Sequence, residues 1–517
     1  MVKYLDNNSG FAQWNSMQVQ KKPSRLSGLL WWGLLFLFAW WIMGIWVTPK
    51  NVEVENAKPI TIEQSKVAKH NIPGKEISFD VQGLRISNIS LNEHFKDSKS
   101  TEKISLLNGE NNFVEMGFVS TDIQMPNINT NWENKLGVMH WNTGNGVHFT
   151  RTISVDGYVI TIADTVKNNS SREINLNPYL KILSGAESQM SSVVETGGVV
   201  YANSKLDYTN WNKLNKKSVA YSTVRGTLGF AEQYWEVLAS IDTNDQTISL
   251  KKTGDVYFAQ TSAAPIKVAP KTEKIVNTYI FTGPRMNSVL KTAEGKIPGI
   301  TKTMDYGWFW FFAEPMLWML NWLNSLVGNY GLAIILMTLI LRVLIWPLTR
   351  KSFVSTMKMQ QMQPELQRVQ KLYANDKARL QIEMMKVYQT HKTSPMSGCL
   401  PMLIQIPIFF ALYKALLISV PMRSAHFLWI SDLAVMDPYF ILPILMGGTM
   451  WLQQYLQTAK TSNDTNPAIA STQKFMKWMP VLFTVMFAWM PAGLVLYWTV
   501  SNLFGILQMY VIKKTTK

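Results

Sequence analysis

Six stretches of this chain run for at least eighteen residues with no more than one charge each: 29–47, 308–327, 330–348, 399–420, 439–456 and 479–512. A helix that crosses lipid needs roughly 20 apolar residues in a row, whereas a soluble chain spreads its apolar residues over short periods. The mean hydropathy near zero hides this, because residues 51–303 are polar and mixed while Trp308 to Ile512 is dense in Leu, Ile, Met, Phe and Trp. The net charge of +16 would suit nucleic acid. Here the basic residues gather beside the apolar runs, where they set orientation and meet anionic lipid, so DNA is not an expected partner.

The basic residues orient the runs. Lys21, Lys22 and Arg25 precede Leu29–Val47, which lacks an Ala-x-Ala cleavage pattern. We read it as a retained anchor, transmembrane helix 1 (29–47), with the extension 1–28 in the cytoplasm. Residues 51–303 then lie outside, and helix 2 (330–348) crosses back to Arg350 and Lys351. Residues 349–398 carry nine Lys or Arg against three acidic residues and stay inside. Helix 3 (399–420) leads out, and helix 4 (439–456) returns to a cytoplasmic loop (457–474). As one helix, Met479–Ile512 would measure about 51 Å against a hydrocarbon core of about 30 Å. Pro491-Ala492-Gly493 favours a turn inside it. Helix 5 (475–489) and helix 6 (494–511) are therefore expected, returning the basic tail 512–517 to the cytoplasm and giving six crossings. Trp308–Val327 holds four tryptophans and a polar stripe of Glu314, Asn321, Asn324 and Ser325. It is expected as an amphipathic helix (308–327) lying on the outer surface, since a seventh crossing would invert every later loop.

Two parts meet water. Residues 51–303 read as an all-β domain, with alternating runs at Val147–Val155 and Tyr158–Val166 around Asp156-Gly157. Further strands are expected at Phe113–Ser120, Ile174–Ile182, Tyr234–Ile241, Val256–Ser262 and Lys274–Thr282, which implies a large β-sandwich. His70, His94, His140 and His148 lack metal-ligand spacing, so neither a metal nor a cofactor is expected. In 349–398, Met362, Leu366, Val369 and Tyr373 keep helical spacing, Asn375-Asp376 interrupts, and Leu380, Met384 and Val387 resume, predicting a helical hairpin. The one cysteine, Cys399, excludes an intrachain disulfide and is given a packing role.

Arg342 lies inside helix 2, where a charge costs roughly 2.5–3.5 kcal/mol on insertion scales. It can be a snorkelling residue, since Leu348 puts the cytoplasmic edge about 9 Å away. Against this, Thr338 sits one turn before it on the same face. Other spans add Gln405, Thr449, Gln453, Ser501 and Gln508, and Tyr497, Ser501 and Gln508 share a face. Pooled, these groups would line a wet, cationic cleft, although polar residues also serve as helix–helix glue. The absence of Asp and Glu from these spans counts against a proton or cation pump.

The chain resembles the YidC membrane protein insertases, in the form with a large periplasmic domain. The likeness rests on Asp305-Tyr306-Gly307-Trp308, Arg342 with Pro347-Leu348-Thr349, and Gly398-Cys399-Leu400-Pro401 running into Gln405-Ile406-Pro407-Ile408-Phe409. It continues through Asp437-Pro438-Tyr439, Ile441-Leu442-Pro443, Pro491 to Tyr497, and Ser501-Asn502. In the polar half only Phe281-Thr282-Gly283-Pro284 matches by motif. The resemblance implies a multi-domain protein of the bacterial inner membrane: a five-helix insertase core after the first span, a periplasmic β-supersandwich and a cytoplasmic hairpin. It implies a positively charged groove open to the cytoplasm, with Arg342 as its arginine and Thr338 beside it. The implied partners are nascent membrane proteins, the Sec translocon and ribosomes, the last through the 349–398 hairpin or the basic tail. Anionic lipids are expected there from charge alone. The family often has two tyrosines where this chain has Tyr497-Trp498, so stacking or sliding contacts remain available with one hydroxyl fewer. Lys414 departs from an uncharged position and is expected to snorkel outward, and the extension 1–28 is longer than in the family.

The expected action is mechanical: a polar tail enters the groove, acidic tails gain most, and the apolar segment partitions into lipid beside the third and sixth helices. No phosphate loop is present and no enzyme activity is expected. A small-solute transporter would predict inverted repeats, which are not detected. A membrane-tethered glycan binder would depend wholly on the β domain.

Overall fold

The computed structural model describes residues 67, 69–96, 100–108, 111–130, 133–135, 138–185, 196–391, 400–458 and 467–515. The expected extension 1–28, the first span 29–47 and Cys399 lie outside the described residues, as do parts of the 349–398 and 457–474 segments.

Among the described residues the β domain is two sheets, one of ten strands and one of nine. Phe113–Val119, Ile174–Ser184, Val256–Ala263 and Gln246–Thr253 follow one another in the larger sheet. Trp235–Ile241, Thr272–Pro284, Val159–Asn168 and Val147–Asp156 do so in the smaller. These neighbours pair antiparallel. Period-two burial explains the layering: along Ile174–Ser184, Ile174, Leu176, Leu180 and Ile182 are buried while Asn175, Asn177 and Lys181 between them are not. Phe79, Ile160, Leu180, Ile248 and Ile280 belong to one cluster without solvent exposure. Each such burial stabilises by about 1.5–3 kcal/mol. The Asp156-Gly157 turn closes one residue later than its dipeptide suggests. Asp156 pairs with Val159, leaving Gly157 at φ +58° and Tyr158 as the two-residue loop.

Among the described residues, arginines buried inside this domain meet carboxylates. Arg151 grips Asp164 through Nε–Oδ1 at 2.7 Å and Nη2–Oδ2 at 2.8 Å, and Nη2 also donates to the Met116 carbonyl of the other sheet at 3.2 Å. Arg85 Nε lies 2.8 Å from Glu115 Oε2. At the domain's exit Arg285 donates to the Glu232 carbonyl (2.7 Å), to Tyr208 Oη (2.9 Å) and to the Thr303 carbonyl, with its Nε 3.6 Å from Glu236. Thr303 Oγ1 donates to Glu236 at 3.1 Å, so the segment Ile300–Thr303 is pinned to the strands before the helices begin. Burial pushes the Glu236 carboxyl up to about 7 despite the guanidinium beside it.

Among the described residues, the α-helices after the last strand are α1 (Asn287–Ala293), α2 (Trp310–Val327), α3 (Tyr330–Leu344), α4 (Trp346–Leu372), α5 (Lys377–Thr390), α6 (Leu400–Ile418), α7 (Ile441–Thr458), α8 (Pro467–Phe487) and α9 (Ala492–Thr515). α2 turns its aliphatic face inward, with Met316, Leu317, Leu320 and Leu323 buried against a bundle that includes α3 and α6. Trp308, Trp310, Phe311, Phe312, Trp318 and Trp322 are exposed. Gly328, left-handed at φ +68°, ends α2, and the Asn329 side chain accepts from the Gly331 and Leu332 N–H groups to begin α3.

The expected helix 2 stops at Leu344, four residues early, and α4 leaves at 64° to it. Pro347 is the cause: it has no N–H to give and its ring would clash with a preceding carbonyl, but it fits the first turn of a new helix. After Tyr373 the chain turns, Asp376 Oδ1 accepts from the Arg379 N–H at 3.0 Å, and α5 begins. Met362, Leu366 and Val387 are buried between α4 and α5, with Val369, Met384 and Tyr388 against them. Asp437, buried, accepts from the Leu442 N–H (2.7 Å), the Tyr439 N–H and Trp429 Nε1 (both 3.1 Å), which nucleates α7. α8 begins at Pro467, eight residues before the expected helix 5, and ends at Phe487; α9 starts just past Pro491.

α9 is the central helix, packed against α3, α6 and α7 and buried along most of its length. Among the described residues it alone is long and apolar enough to cross a membrane unaided, while Tyr330–Leu344 with Trp346–Met359 qualify together as a bent span.

The reading of Lys414 as a snorkelling residue is corrected. Its Nζ pairs with Asp305 and its side chain is about one-tenth exposed. An available carboxylate beats extension toward water, because the pair neutralises both charges where they are buried.

Candidate functional site

The polar residues of the bundle divide into two seams on opposite sides of their roles. The first joins α3, α6 and α9. Arg342, on the last turn of α3 and half-buried, directs Nε to Ser501 Oγ at 2.7 Å, and its Nη2 reaches the same oxygen. Gln508 Nε2 donates to the Arg342 carbonyl at 3.3 Å. That carbonyl is one of those orphaned where α3 breaks before Pro347, so the break and the glutamine are complementary. One turn before Ser501 on α9, Tyr497 Oη accepts from Gln405 Nε2 of α6 at 2.7 Å. Tyr497, Ser501 and Gln508 thus share a face at intervals of four and seven residues, as helical geometry requires. Among the described residues no carboxylate pairs with Arg342; a hydroxyl faces it. Gln508 Oε1 is buried and has no hydrogen-bond partner among the described residues.

Thr338 is on the same face of α3 as Arg342 but fully buried, and its Oγ1 donates to the Ile334 carbonyl at 2.6 Å. Its hydroxyl is spent on its own helix. Trp498 points away from the polar seam into an aromatic group with Phe409 (5.4 Å between centroids), Phe487 (5.0 Å) and Phe483 (6.1 Å), contributed by α6 and α8. Consecutive residues diverge by about 100° on a helix, so Tyr497 and Trp498 serve different surfaces.

The second seam joins α7 and α9. Asn502 Nδ2 lies 3.3 Å from Thr449 Oγ1 and 3.4 Å from the Met446 carbonyl. A Cβ on Gly505 would come within 3.1 Å of Gln453 Nε2, so the glycine gives that amide its room. Thr449 and Gln453, pooled with the cleft by sequence, act here as contacts between helices. Asn502 enters the sequence reading only within the Ser501-Asn502 motif; its place one residue after Ser501, and so on another face of the helix, is the signal for its separate role. The Asp305–Lys414 pair was not foreseen either, since nothing in a sequence brings residues 109 positions apart together.

The β domain touches the end of α6 and the segment that follows it. Gln233 Nε2 donates to the Leu417 carbonyl at 2.9 Å, and Arg423 donates to the Phe95 carbonyl at 2.9 Å and to that of Lys96 while lying 5.8 Å from the Trp235 ring.

Comparison with known proteins identifies the family of the chain. A family model described as "60Kd inner membrane protein" matches residues 322–517, and one described as "YidC periplasmic domain" matches residues 73–319. The chain is 33% identical over 465 residues to the membrane protein insertase YidC of Methylobacillus flagellatus, covering 85% of this chain and 82% of that protein. The YidC insertase of Magnetococcus marinus is 33% identical over 469 residues with the same coverage. A crystal structure of an active YidC insertase with its first transmembrane domain resolved aligns over 89% of this chain and 94% of its own, at 19% identity and a TM-score of 0.37. The chain therefore belongs to the YidC family of membrane protein insertases, inner-membrane proteins that insert other membrane proteins without acting as enzymes.

Proposed function

We propose that the seam of Arg342, Ser501, Gln405, Tyr497 and Gln508 is the wall of a hydrophilic groove that receives the polar tail or loop of an inserting protein. The carrying observation is the company Arg342 keeps: half-buried in an apolar bundle, it meets a serine hydroxyl and no carboxylate among the described residues. A guanidinium has five donors, so several remain for water or an arriving anion. An acidic tail gains most from this charge, which offsets part of its cost of leaving water. The orphan oxygen of Gln508 offers an acceptor in the same seam.

The substrate's apolar segment then moves into lipid along the Phe409, Phe483, Phe487 and Trp498 group, which lies next to the polar seam on α6, α8 and α9. Hydrocarbon transfer drives that step. Six crossings with both termini in the cytoplasm place the β domain in the periplasm, the α4–α5 hairpin and basic tail at the cytoplasmic face, and α2 on the outer surface. The basic hairpin suits docking of ribosomes and anionic lipid, and the Sec translocon is a further partner.

The test is insertion of several substrates into translocon-free proteoliposomes by Arg342→Ala. Insertion should drop, most for acidic-tailed substrates; equal insertion of all of them by the variant removes the groove's physical basis.

A further inference from the structure

Between the base of the β domain and the start of α2 lies an open cleft of about 650 Å³, walled by Tyr208, Lys291, Lys302, Tyr306, Trp310 and Glu314. It is separate from the polar seam of α3, α6 and α9. Its floor is held in place: Gly307 turns at φ +71°, its N–H donates to Asp305 at 2.9 Å, and Asp305 is paired with Lys414 of α6. Tyr208 Oη donates to the Thr303 carbonyl at 2.8 Å, fixing one wall. The volume is that of an ordinary small-ligand site.

The charges in the cleft are unequally used. Lys302 donates to the Ser204 carbonyl at 3.1 Å and lies 5.0 Å over the Tyr201 ring. Asp305 is neutralised by Lys414. Lys291, at the end of α1, has no ion pair or hydrogen bond among the described residues, and Glu314 has only a 3.5 Å contact with Asn287. Burial, and next the Glu314 carboxylate, push the Tyr306 phenol up to about 12, so it remains a hydrogen-bond donor at neutral pH. Among the described residues, a cation without a partner, an anion without a counter-ion and a neutral donor thus face a single cleft, beside a second lysine held by a carbonyl and a ring. Beside them Trp308 is 88% exposed and Trp310 59%, the residue type that settles where lipid meets water.

We propose that this cleft binds the headgroup of a zwitterionic phospholipid of the outer leaflet, its phosphate at Lys291 and its ammonium at Glu314, with acyl chains along the exposed aromatic face of α2. The proposal rests on α2 lying at the outer surface. A headgroup carrying both charges matches both free side chains, whereas an anionic headgroup leaves Glu314 opposed.

Native mass spectrometry of the full chain, exchanged into phosphatidylethanolamine or phosphatidylglycerol, reads the preference. The wild type should retain phosphatidylethanolamine about threefold better. Glu314→Gln should abolish that preference, and Lys291→Gln should lower retention of both lipids. Variants that retain lipid like the wild type overturn the proposal. So does saturable binding of water-soluble phosphoethanolamine to the lipid-free protein, lost in both variants and not displaced by phospholipid, because the occupant is then a free phosphoamine. The surface placement of α2 is read separately from the depth of a spin label on Trp318→Cys in a Cys399→Ser background. A label in bulk water removes the reading of α2 and the cleft with it. A label at interfacial depth, with lipid retention unaffected by the variants, removes the cleft alone.

Discussion

Arg151 in the β domain and Arg342 in the helical bundle are the same residue solving opposite problems. Arg151 is closed in on every side: a carboxylate takes two of its donors and a carbonyl of the facing sheet another, and its side chain is 3% exposed. Its charge is cancelled and its geometry settled, so it holds two sheets together. Arg342 is given a single hydroxyl and left half-buried. A buried pair is an expense that structure must recover, whereas the uncancelled charge of Arg342 is the one the proposed groove would offer to a passing substrate. The contrast separates a scaffold from the proposed working surface more sharply than burial does.

The largest effect should come from breaking the closed arrangement. Asp164→Ala leaves Arg151 buried without its counter-charge and should cost about 3–5 kcal/mol of β-domain stability, read by denaturant unfolding of the full chain. Loss below about 1 kcal/mol would show that the guanidinium escapes to water and that the pair is not structural.

Glu236 comes next. Its folded pKa of about 7 stands above the ordinary glutamate value of 4.5. Between these values the folded state holds a proton that the unfolded state releases, so its contribution to stability falls as pH rises from about 4.5 through about 7. Glu236→Gln should remove that slope, leaving the variant more stable than wild type above pH 7 by roughly 1–3 kcal/mol relative to their difference at pH 4. Parallel pH profiles for the two proteins would refute the assignment.

Arg342→Ala should reverse the pattern of Asp164→Ala. Unfolding should change little, while insertion of an acidic-tailed substrate slows about tenfold, equivalent to about 1.4 kcal/mol. A variant that loses stability as Asp164→Ala does would make Arg342 a scaffold residue too. The smallest effect belongs to the α7–α9 seam, where Asn502→Ala removes long hydrogen bonds to Thr449 and Met446. About 0.6 kcal/mol of stability and no change in insertion are expected, read by thermal melting in detergent beside the insertion assay.

Much of this was legible in the sequence where the governing force is local. The alternation at Ile174–Ser184 declares a strand half buried and the Asp376 cap separates α4 from α5, because period and capping act over a few residues, whereas the expected helix 2 ran through Pro347, which ends α3. The shared polar face of α9 was also legible, since Tyr497, Ser501 and Gln508 fall on it by spacing alone. Sequence did not separate the polar residues by contact: Thr449 and Gln453 looked equivalent to Gln405, but packing turns Asn502 and Gly505 of α9 toward them in another seam, and Trp498 enters the aromatic group beside Tyr497.

By itself the sequence determined that this chain meets lipid, that its polar half is β, and that an arginine must be accommodated within an apolar helix. Those follow from apolar run length, side-chain period and the cost of a charge, all properties of neighbouring residues. Only the tertiary structure decided which group answers each charge: Asp164 for Arg151, Asp305 for Lys414, Ser501 for Arg342. Pairing depends on which distant segments share a wall, and electrostatic energy at contact distance turns on ångströms that no spacing along the chain encodes.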